Sequence, residues 1–401
     1  MKKSILALGL SLASVMLLAE NLGERDFKQK TCVPANVASS FIWENGVLKC
    51  SLPVWPKDVK FIKQGVRTDI PQSFAGHLVE FSAETRWMDA PAEGGKKQGY
   101  IQFAMFRKNG ETAWDGIRIN PAQKDWTSFR KIIRVPADLK LFRLVIGFEN
   151  ACGNFEIRNI ELKDLGMPVD VASYANRAVR DSVAGDGTGG WTDQGPMLDG
   201  RAFEPEFCKN FISGAPFCIP VDNLNPNKKT VMVMRSATRN PNGILEQEIP
   251  VAPTKANYLY VLHALSYPGA SGSSAGRIIV TTESGAKTEL PVIVGRDLGD
   301  WYQGKPVTNG SDALRVKGLS AEYVLYVTRY ALPQTDQKIV SVRFISDNED
   351  KVWIIAGATL SETKYDLAAV EKKQPLIIKA NAEWQQPLRT MDYHYRKPGS
   401  V

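Results

Sequence analysis

The side chains of this sequence best suited to chemistry are rings and planar polar groups rather than acid–base machinery. Trp87, Tyr100, Gln102 and Trp114 lie close together in the first half. Trp191 and Asp193 stand in the string Gly189-Gly190-Trp191-Thr192-Asp193-Gln194-Gly195-Pro196, with Asp199 and Arg201 just beyond. Trp301 and Tyr302 form a third aromatic group, after Asp297 and Asp300. Aromatic faces accept the C–H faces of sugar rings, and amides, carboxylates and guanidinium groups bond hydroxyls, so all three sets are candidate ligand positions. The structural readings stand beside these. Buried aromatics fill cores, and Asp199 with Arg201 has the spacing of an ion pair that holds a loop.

Catalytic patterns are sparse. The chain has three histidines, His77, His263 and His394, which leaves little for a triad or a metal cluster. HExxH, the P-loop and a GxGxxG opening a helix are absent from the sequence. His263, inside an apolar run, reads as a satisfied core histidine. Asp297 and Asp300 come nearest to the paired carboxylates that glycoside hydrolysis needs, but they read as a turn rich in Asp and Gly after a strand. No active site and no cofactor follow from these residues.

Groups of this kind need a rigid support, and the period along the chain says which. Val79, Phe81 and Ala83 alternate with polar neighbours, as do Ile101, Phe103 and Met105, and Asn109-Gly110 then supplies a hairpin turn. Alternation places Gln102 on the side opposite Ile101 and Phe103, whereas Trp87 is in phase with Val79 and Phe81. Further strands are predicted at Phe129–Val135, Phe142–Phe148 and Phe155–Leu162. In the second half they fall at Thr230–Met234, Tyr258–Ala264, Arg277–Thr282, Leu290–Val294, Tyr323–Tyr330, Ile339–Ser346 and Val352–Ala358. Pro250, Pro253, Pro268 and Pro333 are expected at strand borders, where a missing N–H does least harm. Val171–Val183 is the one longer stretch that reads as helix. The class is therefore all-β, two β-sandwich domains in tandem.

The ends and the composition set the compartment and narrow the partners. Lys2, Lys3, the apolar run Ile5–Leu18 and Ala19 follow the order of a secretory signal peptide, too short to span a bilayer. The expected protein is secreted, extracellular or periplasmic. Net charge is +7, of which Lys2 and Lys3 supply two, and acidic residues are interspersed throughout. No basic run marks a nucleic-acid binder. Five cysteines in an oxidising compartment suggest local loops closed by Cys32 with Cys50 and by Cys208 with Cys218, leaving Cys152 over. The expected organisation is signal peptide 1–19, first sandwich 20–168, second sandwich 169–363, and 364–401 as a tail or the start of a further domain.

Residues 20–165 resemble the jelly-roll carbohydrate-binding modules of families 4 and 9. The resemblance is carried by Leu78–Ala83, Tyr100–Phe106, Asp125-Trp126 before Phe129–Pro136, and Leu144-Val145-Ile146-Gly147-Phe148 with Gly153 and Phe155–Leu162. It implies a polysaccharide or glycan partner, a structural calcium ion, and ligand roles for Trp87, Gln102 and Trp114. Residues 177–363 look like the galactose-binding-like sandwich of secreted glycan-degrading proteins, through residues 190–195, Tyr258–His263, Gly295-Arg296-Asp297 and Asp300-Trp301. That likeness implies an accompanying catalytic domain, which this sequence lacks. Glycan binding without catalysis is the leading expectation. A glycoside hydrolase or lyase with an unrecognised site, and a structural adhesion protein contacting protein, are the alternatives.

Overall fold

The computed structural model of the chain describes residues 19–21, 28–31, 40–52, 63–88, 98–187, 189–221, 225, 227–334 and 336–367. The chain divides into two compact units, the first reaching Asp164 and the second beginning at Leu165. The signal-peptide residues 1–18 and the tail beyond 367, with Trp384, Tyr393 and Tyr395, lie outside the described residues. Among the described residues no helix is long and apolar enough to cross a membrane.

The first unit is a sandwich of antiparallel sheets. One is five-stranded, in the order Lys28–Thr31, Lys63–Ile70, Leu139–Glu149, Gly99–Arg107 and Thr112–Ile119. In the other, Gly153–Val169 pairs with Val47–Leu52 and Leu78–Trp87, with Ser40–Glu44 and Thr127–Arg134 outside them. Apart from the hairpins Ser40–Glu44 with Val47–Leu52 and Gly99–Arg107 with Thr112–Ile119, successive strands pass between the two sheets, as in a jelly roll. Alternation fixes the core: Ile101, Phe103 and Met105 point inward with Phe142, Leu144, Ile146 and Phe148, towards Val79 and Phe81. Phe81 and Phe103 meet edge to face at 4.9 Å. Burying each such side chain stabilises by roughly 1.5–3 kcal/mol over leaving it in water. The predicted turn is present, with Gly110 at φ +88° and the Arg107 N–H donating to Glu111 O.

The second unit is also a sandwich. Its larger sheet runs Gly310–Lys317, Glu322–Ala331, Tyr258–Ser266 and Val352–Ser361. The last of these pairs further with Met167–Val169 and with Met232-Val233. The four-stranded sheet runs Glu246–Thr254, Ile339–Ser346, Ser274–Thr282 and Lys287–Ile293. Val352–Ser361 is buried at every position, so two-residue alternation fails there. The cause is a cover on its outer side: Phe217 and Ile219 approach Gly357, and the Thr359 hydroxyl donates to Pro216 O.

Four expectations need correction. Residues 171–183 are not a helix but a single 3-10 turn, Ala172–Tyr174, followed by the short strand Arg177–Ala178. The Asn176 amide bonds both the N–H and the C=O of Val233, drawing the chain onto a strand edge. Pro250 and Pro253 lie within a strand rather than at its border. Glu246–Thr254 tolerates them because it is an edge strand with a register shift between Pro250 and Thr254. Gly310–Lys317 is a strand that alternation did not predict. Finally, Cys208 and Cys218 are not bridged; with Cys50 and Cys152 they are thiols, while Cys32 lies outside the described residues. Cys208 sits exposed at the end of the helix Glu204–Phe207, whereas Cys218 is half-buried between the core residues Phe217 and Ile219.

Candidate functional site

Strand register assembles a polar, partly aromatic face on the outside of the five-stranded sheet. Gln102 lies opposite Val145 on one side and Gly116 on the other, and Val145 lies opposite Arg67. The next row is Asp69, Arg143, Ala104 and Trp114; the row on the other side is Gly65, Gly147, Tyr100 and Arg118. The inward residues of these strands fill the core, so the residues between them face away from it. Sequence alternation predicted this for Gln102.

Trp114 is 48% exposed on the outermost strand, its indole edge-on to Phe106 at 6.3 Å. Arg143 is held by Asp69 through two hydrogen bonds, Nε–Oδ1 at 2.7 Å and Nη2–Oδ2 at 3.3 Å, and lies over the Phe106 ring at 5.7 Å. An edge indole, an amide and a fixed guanidinium thus share one surface. Its floor is low where Gly65 faces Gly147. A Cβ on Gly147 would collide with the carbonyl of Gln64 and the Cα of Gly65, so the two backbones approach more closely than any side chain allows.

Two other aromatic candidates of this unit are placed differently. Trp87 is 1% exposed, stacked on Phe155 at 6.1 Å and lying over Gly153, which has φ +143°. That is a core position, as its phase with Val79 and Phe81 allowed, and its ring faces no ligand. Tyr100 has the outward parity yet is 3% exposed. Arg67, Arg118 and Arg143 were missed by sequence reasoning. Only the pairing of strands far apart in the chain brings them beside Gln102.

In the second unit the candidate aromatics turn inward. Trp191 and Trp301 are each 2% exposed and meet at 5.4 Å, and Trp301 packs on Tyr323 at 4.7 Å. The Trp301 N–H donates to Leu265 O, and Leu265 N–H to Gly299 O, which pulls the Asp/Gly turn against a core strand. Tyr302 is half-buried at 6.1 Å from Tyr323. Asp297 is wholly buried and accepts hydrogen bonds from Arg296, Ile293 N and Asn309. Asp300 accepts from the Tyr302 N–H, and burial holds its carboxyl above the ordinary range. Both carboxylates serve the turn.

Arg201 forms the structural pair with Asp199 through Nε and Nη2, and the buried Asp199 also accepts the N–H of Asp181. The hydrogen bond to Asp199 holds the guanidinium above its usual pKa. The two residues line a cleft of about 220 Å³ with Pro196, Lys317, Leu319 and Tyr323. Asp193 accepts the N–H groups of Gly185 and Gly187. Asp181 accepts those of Val183 and Gly195, and with Asp186 the three carboxylates come within 4.8 Å of one another. Oxygen donors are the kind calcium takes. The loop's own N–H groups account for this cluster, however, and it lies in the second unit rather than in the module whose likeness implied calcium.

His263 is the satisfied core histidine expected. Its Nδ1 accepts the Trp353 indole N–H at 3.1 Å, so Nε2 carries the proton and donates to Thr328 Oγ1 at 3.0 Å. One pattern escaped sequence reading. Gly272-Ser273-Ser274-Ala275-Gly276 has the spacing of a nucleophile elbow. It runs into the strand Ser274–Thr282 rather than from a strand into a helix, and the Ser274 hydroxyl donates to Gly276 O.

No family model and no curated protein matches the chain. Solved structures do. The tandem of two family 22 carbohydrate-binding modules of Paenibacillus barcinonensis Xyn10C aligns over 86% of this chain and 97% of its own, at 9% identity and TM-score 0.28. The first of those modules, described as xylan-binding, aligns over 37% of this chain and 92% of its own, at 11% identity and TM-score 0.25. The C-terminal family 22 module of Clostridium thermocellum Xyn10B aligns over 33% and 82%, at 18% identity and TM-score 0.24. At such scores the all-β fold of this chain rests on the strand pairing described above, to which these structures are similar.

Proposed function

We propose that this chain binds a glycan on the exposed face of the five-stranded sheet, as an exported protein. The observation that carries the reading is the exposed indole of Trp114, sharing a face with Gln102 and with the Arg143–Asp69 pair. An indole offers a flat apolar platform for a sugar ring. The amide and the fixed guanidinium offer hydrogen bonds to hydroxyls in defined directions. The leader read at residues 1–19 would bring the face to polymers outside the cytoplasm.

Affinity electrophoresis of the purified chain through gels containing individual soluble polysaccharides tests the reading. Retardation by at least one polymer is expected, and Trp114→Ala should abolish most of it while the variant keeps its fold. If no polymer in a broad set slows the chain, or if Trp114→Ala is slowed as much as the parent, this face is not a glycan site.

A further inference from the structure

The charges on this same face bear on which glycan it takes. Asp69 and Arg143 neutralise each other. Arg67 and Arg118 face the same side, half-buried and exposed respectively, and among the described residues neither is in an ion pair. Among the described arginines of the first unit, Arg86 pairs with Glu156, Arg107 with Asp138 and Glu111, and Arg158 with Glu84, while Arg130 and Arg134, on the other sheet, are in no ion pair. Glu149 has the same parity but lies at the strand's end, opposite Lys63. Among the described residues the face therefore carries two guanidinium groups outside any ion pair, on strands three spacings apart, about 14 Å. Gln102 lies between them, and Trp114 is on Arg118's own strand.

A guanidinium forms its strongest bonds with carboxylate or sulfate oxygens, two at a time. We infer that the face selects an anionic glycan, with carboxylate or sulfate groups of the polymer seated at Arg67 and Arg118 while a neutral stretch crosses Gln102 and Trp114. The inference rests on the glycan reading above and adds the substrate class.

Two matched pairs of probes test it. One is sodium polygalacturonate and its methyl ester; the other is a sulfated galactan and its desulfated form; duplex DNA serves as a polyanion control. The charged member of at least one pair should bind more tightly than its neutral partner, and which pair responds tells carboxylate from sulfate. That preference should weaken between about 0.01 M and 0.15 M salt, as the screening length contracts from about 30 to about 8 Å. Arg67→Gln and Arg118→Gln should each lower the charged polymer's affinity by about 5-fold, with the melting temperature and any binding of the neutral form unchanged. Arg67→Lys should recover part of the loss, since it restores charge without the fork.

Equal affinity for charged and neutral partners overturns the inference and leaves the glycan reading standing. A preference for acid that survives both glutamine variants, or Arg-dependent binding of DNA as tight as that of the glycan, also overturns it. Retention by none of the four glycans also overturns the inference, and the broad polysaccharide set named above then decides the glycan reading.

Discussion

The two units use the same residue types to opposite ends. In the first, an exposed tryptophan, an amide and three arginines lie on the outer side of a sheet whose inner side is core. In the second, Trp191 and Trp301 are buried against each other, with Tyr323 on Trp301 and Phe203 on Trp191. The acidic groups around them fold loops. A tryptophan's part is decided by what its backbone is bonded to: an edge strand leaves Trp114 outside, and ladder bonds to Leu265 draw Trp301 in.

The contrast is sharpest where its predicted effects are largest. Trp301→Ala should cost the second unit about 3–5 kcal/mol, as cavity-forming aromatic deletions do, while polysaccharide retention by the first unit stays intact. Calorimetry resolving the two unfolding transitions, run beside affinity electrophoresis, checks both halves. If retention fell with the second unit's stability, the division of labour between the units would be wrong.

Acid should separate the units next. Burial lowers the pKa of His263 from 6.5 to about 4. Between those values the unfolded chain takes up a proton that the folded second unit refuses, so stability is full above about pH 6.5 and falls as pH drops towards 4. The slope is at most about 1.4 kcal/mol per pH unit. Denaturant titrations of the second unit across that window should show this slope, and His263→Gln should flatten it whatever it does to the midpoint. An unchanged slope in that variant would assign the acid sensitivity elsewhere.

Trp114→Ala should act in the opposite sense to Trp301→Ala. About tenfold or more of glycan affinity, roughly 1.4 kcal/mol, should disappear, with the first unit's stability changing by no more than about 0.5 kcal/mol. Smallest of all, Cys208→Ser should leave both units' stability within about 0.5 kcal/mol, because no bridge to Cys218 is lost. A clear loss in that variant would mean that the bridge forms in solution.

Much of the scaffold was legible in the chain, and the reason is local. Two-residue alternation marked Leu78–Trp87, Gly99–Arg107 and Leu139–Glu149, and its parity put Gln102 outside. It failed for Glu246–Thr254, whose prolines argued for borders; the strand predicted at Val352–Ala358 is present, but its burial on both sides was not legible from alternation. The face itself was half legible. Arg67 and Arg143 join Gln102 and Trp114 only through the pairing of Leu139–Glu149 with Lys63–Ile70 on one side and Gly99–Arg107 on the other, which no local spacing reveals. Trp301 and Tyr302 read as candidate ligand positions because the turn chemistry around Asp300 was visible and the hydrogen bonds to Leu265 were not.

The touching backbones of Gly65 and Gly147 have a consequence for anyone reading a mutational survey of this protein. A single added methyl would wedge two central strands apart and tilt every group that the sheet presents. Gly147→Ala would then score among the most damaging substitutions for ligand capture, although glycine offers a ligand nothing to hold. Residues of that sort mark the shape of a surface, and a survey ranked by lost affinity would mistake them for its chemistry.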